Sequence, residues 1–127
     1  MKITRMYTGS DGQSHIEKID IPMEESMGGG KRSKPIKAKE IYFVEWPPGI
    51  DDRDWHSVSQ RRLAIVMEGK YETEVSDGTR HLHEPGDIIL VAEDAKGRGH
   101  RRHVGNQPVK FVTVELDEVS ASSAFKS

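Results

Sequence analysis

The chain has 127 residues, no cysteine, and 19 basic against 21 acidic residues for a formal net charge of −2. The missing thiols exclude disulfides, thiolate metal sites and cysteine nucleophiles, and the balanced charge gives no electrostatic footprint for nucleic acid or an anionic membrane. No apolar run reaches signal-peptide or membrane-spanning length, so one soluble, cytoplasmic domain is expected.

No helical period persists. Short β-prone runs are instead separated by Gly, Pro and Asp-Gly punctuation, the pattern of an all-β sandwich or barrel. In chain order the expected strands are His15–Ile21, Lys37–Trp46, Trp55–Ser59, Arg61–Glu68, Lys70–Ser76, Thr79–His83, Asp87–Ala92, Gly99–Val104 and Val109–Leu116. Residues 1–36 read as an N-terminal strand and a flexible segment, "MGGGKRSKPIKAK" being a solvated connection without the context of a phosphate loop. Residues 37–118 read as the barrel, and 119–127 as a tail in which Phe125 alone could dock. The nearly continuous apolar run "EIYFVEW" predicts a strand buried on both faces.

"KYETEVSDGTRHLH" predicts a hairpin closed by a two-residue Asp77-Gly78 turn. That register sets Glu74 opposite His81 and Glu72 opposite His83. The four then form a solvated charge patch, while Tyr71, Thr73, Val75 and Leu82 face the core. His103, three residues beyond His100, falls on the opposite face of its strand. The basic run "GRGHRRH" lacks interleaved aromatic residues, so no nucleic-acid partner is expected.

Two stretches carry more information. "PPGIDDRDWHSVSQRRLAIVMEG" sets Gly49, His56 and Gly69 in series, and "EPGDIILVAEDAKGRGHRRHVGN" follows Gly86-Asp87 with Gly97-Arg98-Gly99-His100 and Asn106. Together they resemble the two motifs of the cupin family, in particular its short single-domain members. The resemblance implies a double-stranded β-helix, or jelly-roll, barrel. It covers about Ile41 to Leu116 and makes His56 and His100 the matched site positions. Cupins host many chemistries, so it fixes the fold and not the reaction. It departs from the family at Asp54-Trp55-His56, where His-x-His is usual, and at Arg62, which stands where a glutamate is usual.

Two site chemistries stay open. If the strand through His56 runs unbroken, residues two apart share a face, so Asp54 and Gln60 could join His56 and His100 around a divalent metal such as Fe, Zn, Ni or Mn. Arg62 falls on that same face, and its guanidinium has no lone pair and repels a cation. With Arg62 inward, His56, His100 and Arg62 form a metal-free site for an anionic or enolisable ligand, with neutral imidazoles as acid–base groups. The expected function is a small cupin that binds a small organic molecule. It would act as an isomerase, lyase or metal-dependent oxygenase, or alternatively as a non-catalytic binding module for an anion or sugar. The resemblance and an outward Trp55 imply a homodimer.

Overall fold

The protein is described by a computed structural model covering residues 1–58, 60–94, 96–118 and 125. Its strands are β1 (Lys2–Thr8), β2 (Ser14–Asp20), β3 (Glu24–Glu25), β4 (Lys31–Arg32), β5 (Ala38–Trp46) and β6 (Arg62–Glu68). They continue with β7 (Tyr71–Val75), β8 (Arg80–His83), β9 (Ile88–Ala92), β10 (His100–Val104) and β11 (Val109–Leu116). A six-stranded sheet in the order β2-β1-β9-β6-β11-β5 packs over a three-stranded sheet in the order β10-β7-β8. Antiparallel bridges at Asp51–His103 and His56–His100 lay the Gly49–His56 stretch along β10 as the next member of the smaller sheet. Among the described residues no helix is long and apolar enough to cross a membrane.

Alternation along the strands supplies the core. In β11, Val109, Phe111 and Thr113 are buried while Lys110 is exposed, and in β6 Ala64 and Val66 are buried. These meet Tyr71, Val75 and Val104 from the small sheet around Met6, Ile89 and Val91. A second cluster on the outer face of the large sheet centres on Ile3, Leu90 and Leu116, with Ile36 and Phe125 packed against it. β1, absent from the expected strands, pairs in parallel with β9, so the barrel begins at Lys2. The glycine-rich segment forms the solvent-exposed β3–β4 hairpin. Apart from Phe125, the tail 119–127 lies outside the described residues, as does Ser59 at the end of the expected strand Trp55–Ser59.

Two expectations are corrected. β5 is an edge strand: Ile41 is 63% and Phe43 78% exposed, and only Tyr42, Val44 and Trp46 turn inward. Continuous hydrophobicity here marks an inner face and an uncovered outer one. The β7–β8 hairpin is shifted by one residue. Val75 N–H bonds the Thr79 carbonyl and Gly78 N–H the Val75 carbonyl, with Gly78 at φ 95°. Three residues, 76–78, therefore make the connection, as in a turn closed by a glycine bulge. The pairs become Tyr71–His83, Glu72–Leu82, Thr73–His81 and Glu74–Arg80. Since strand side chains alternate, this slip turns both histidines inward and sends Leu82 out, to 44% exposure.

Candidate functional site

The two sheets enclose a cavity of about 330 Å³. His56, Arg62, His100 and Arg102 line it, with Tyr42, Trp46, Tyr71 and Phe111 as aromatic wall and Thr73 and Thr113 as hydroxyl donors. The rings of His56 and His100 stand 4.6 Å apart between centroids, tilted by 58°. Their strands meet through reciprocal main-chain bonds of 2.8 and 2.9 Å between the two residues. Gly99 permits this approach. It sits at φ 88°, and a Cβ there would fall 2.1 Å from the His56 carbonyl oxygen.

His100 is held from behind. Its Nδ1 donates to Glu93 Oε1 at 2.6 Å, and Ser14 Oγ donates to Glu93 Oε2 at 2.5 Å. The Glu93 side chain is fully buried. With Nδ1–H so engaged, Nε2 is the ring nitrogen left to exchange a proton. Arg102 donates through Nε to Asp52 Oδ2 at 3.1 Å and lies 4.6 Å over the Trp46 ring. Arg62, reaching in from the start of β6, donates to Tyr42 Oη over a long 3.4 Å. Among the described residues no carboxylate pairs with it.

Of the residues expected at the site, the structure brings His56, His100 and Arg62 to one cavity. Asp54 and Gln60 are not among its lining residues. Asp52 bonds Arg102 and His56 bonds His100, so two more residues lie between Asp52 and His56 than on β10 opposite. This bulge breaks the alternation that would have aligned Asp54 with His56. Asp54 is exposed, and Trp55 stacks beneath the Arg101 guanidinium at 4.3 Å. Gln60 donates its amide to the Leu116 carbonyl at 2.9 Å. Sequence reasoning missed Arg102, Asp52 and Glu93. Alternation from His100 reaches Arg102, but no local signal pairs Glu93 with an imidazole seven residues on.

No family model matches the sequence, and no curated protein does. Among solved structures, a protein from Neisseria meningitidis matches with a TM-score of 0.50 and 16% identity, over 68% of this chain and 87% of its own. An RmlC-like cupin family protein with a double-stranded β-helix fold, from Methanocaldococcus jannaschii, matches at 14% identity and TM-score 0.46, over 84% of this chain and 98% of its own. A cupin-superfamily sugar phosphate isomerase from Silicibacter pomeroyi matches at 24% identity and TM-score 0.47, over 61% of this chain. The match spans 49%, about half, of that protein's length. The chain has a double-stranded β-helix fold. At these identities the likeness is one of fold alone.

A carboxylate behind an imidazole serves a metal ligand as readily as a base, so the donor count decides how well this barrel suits a metal. Among the described residues no three His, Cys, Asp or Glu side chains are grouped closely enough to hold an ion. Two guanidiniums line the same wall as the two imidazoles. This donor set does not fit a divalent cation, which prefers anionic or neutral donors on at least three sides.

Partial withdrawal from water lowers the pKa of His56, and the neighbouring His100 adds to this. Deeper in the barrel, burial lowers His83 to about 3. Its Nε2 lies 2.9 Å from Thr73 Oγ1, which ties it to the cavity wall. His81 is also lowered, chiefly by burial. On the outer face His103 binds Glu74 and Asp51, away from the cavity. Glu74 is pulled down to about 2, chiefly by hydrogen bonding from Arg101.

Proposed function

We infer that this cupin barrel binds a small organic carboxylate or enolisable anion, on which His56 and His100 act as acid–base groups without a metal. One observation carries the reading. Of the basic side chains on the cavity wall, Arg102 is matched by Asp52 and His100 backed by Glu93, while Arg62 has no acidic partner among the described residues. A half-buried guanidinium is stabilised by an anion, and the planar fork suits a carboxylate. The aromatic wall accepts the ligand's apolar part.

The chemistry follows from the placement of protons. Glu93 fixes the His100 tautomer with Nε2 free, as a general base requires. His56, its pKa lowered, favours the neutral form and stands beside His100, with ring centroids 4.6 Å apart, where it can take or return a second proton. Arg62 would stabilise negative charge as it develops on a carbonyl or carboxylate oxygen. An imidazole base beside a guanidinium suits proton transfer next to a carbonyl, the step shared by isomerisation, epimerisation and elimination.

Calorimetric titration of small aliphatic and aromatic carboxylates, each against its uncharged amide, tests the reading. A charge-assisted bond of about 1.5–3 kcal/mol predicts that Arg62→Gln weakens carboxylate binding roughly 10- to 100-fold and amide binding little. Equal affinities for acid and amide, or no effect of the substitution, would overturn it.

A further inference from the structure

We propose that the Thr73 hydroxyl donates a hydrogen bond to the ligand, and that the barrel therefore selects an oxo acid whose carbonyl oxygen is set apart from its carboxylate. This rests on the anion-binding role of Arg62 and adds a second contact on the facing sheet. Thr73 and His83 are both buried, and Thr73 is the one that lines the cavity. Burial keeps the His83 ring neutral, so it carries one N–H. On Nδ1 that proton would be a buried donor without an acceptor, since Nδ1 has no hydrogen-bond partner among the described residues. An orphaned donor is less favourable than a bare lone pair, so the proton sits on Nε2 and is donated to Thr73 Oγ1 at 2.9 Å. The hydroxyl's own proton is then free of His83. Among the described residues it has no other acceptor, and the cavity is where a ligand can supply one.

Strand pairing places this donor. Thr73 lies directly opposite Arg102, and His100 and Arg102 alternate onto the same inner face of β10. The small sheet thus presents an imidazole base, a guanidinium and a hydroxyl together. The wall that would take the carboxylate belongs to the large sheet. There Thr113 pairs with Tyr42 on one side and Ala64 on the other, and Arg62 donates to the Tyr42 hydroxyl. Packed sheets stand roughly 10 Å apart, so a short-chain ligand can engage both walls at once. In an α-oxo acid the carbonyl adjoins the carboxylate and would share its wall. A carbonyl further along the chain reaches the other. When His100 Nε2 takes a proton from the carbon beside that carbonyl, the C–H electron pair forms the carbon–carbon double bond. The carbonyl pair moves to oxygen, where the Thr73 hydroxyl meets the charge.

Calorimetric titration of levulinate, a γ-oxo acid, against pentanoate, its counterpart without the carbonyl, reads the contact, with circular dichroism verifying that each variant folds. A neutral hydrogen bond predicts that levulinate binds roughly two- to tenfold tighter than pentanoate. Thr73→Val should abolish that preference and leave pentanoate affinity unchanged, whereas Thr73→Ser should keep it. Thr73→Val strands the His83 donor. Where that unfolds the barrel, Thr73→Val combined with His83→Phe removes both partners and should show the same loss of preference. Arg62→Gln should weaken both ligands alike. Equal binding of levulinate and pentanoate by the wild type, or a preference that survives loss of the hydroxyl, would overturn the Thr73 contact and leave carboxylate binding by Arg62 standing. Binding of neither acid would overturn both.

Discussion

Acidification from pH 7 to pH 5 should destabilise the fold through His83. This imidazole is 1% exposed, and its Nδ1 is buried without a hydrogen-bond partner among the described residues. Burial holds its pKa at about 3, against 6.5 for the free side chain. Above pH 6.5 the ring is neutral in both folded and unfolded chains, and the difference has no effect. Below 6.5 the unfolded chain takes up a proton that the folded chain refuses. Stability therefore falls as pH falls, by about 1.4 kcal/mol per unit, until the folded pKa is reached. At pH 5 the loss from this group is about 2 kcal/mol. His83→Phe removes the titration and keeps a ring against Tyr71, whose centroid lies 4.7 Å away. Urea unfolding at the two pH values should show the wild type losing about 2 kcal/mol more than His83→Phe over the interval. Equal losses would refute the coupling between burial and protonation, whatever the variant's stability at pH 7.

Two further substitutions probe the site. Gly99→Ala should lower stability by about 1–3 kcal/mol from its positive φ alone, and more from contact with the His56 carbonyl, read as a fall in melting temperature together with weaker carboxylate binding. Glu93→Gln keeps the shape but removes the charge behind His100. It should slow proton exchange at the α-carbon of a bound enolisable acid at least tenfold, while the affinity fixed by Arg62 changes little, followed by NMR in deuterated water. Unchanged exchange would assign Glu93 a purely structural role.

How far these features were legible varies with their cause. His56 and His100 were matched through the resemblance of their stretches to the two cupin motifs, and Gly99 is where the two strands touch. Arg62 could be placed because its strand runs regularly into Ala64 and Val66. Two failures were of register. Asp77-Gly78 suits a two-residue or a three-residue connection, and the choice decides whether His81 and His83 together face solvent or the barrel interior. Asp54 lost its place to a bulge that only pairing with β10 reveals. The apolar run of β5 concealed its edge position, since periodicity cannot tell a covered outer face from a bare one.

The widened stretch before His56 limits how this barrel can be re-engineered. A histidine installed at Asp54 would project into solvent beside Trp55, so a single exchange cannot recreate a two-imidazole strand. Shortening the loop by two residues would have to come first, and it would unseat the Asp52 contact that steadies Arg102. Side-chain identity and backbone length are locked together at this rim, and building a metal site there would require a deletion.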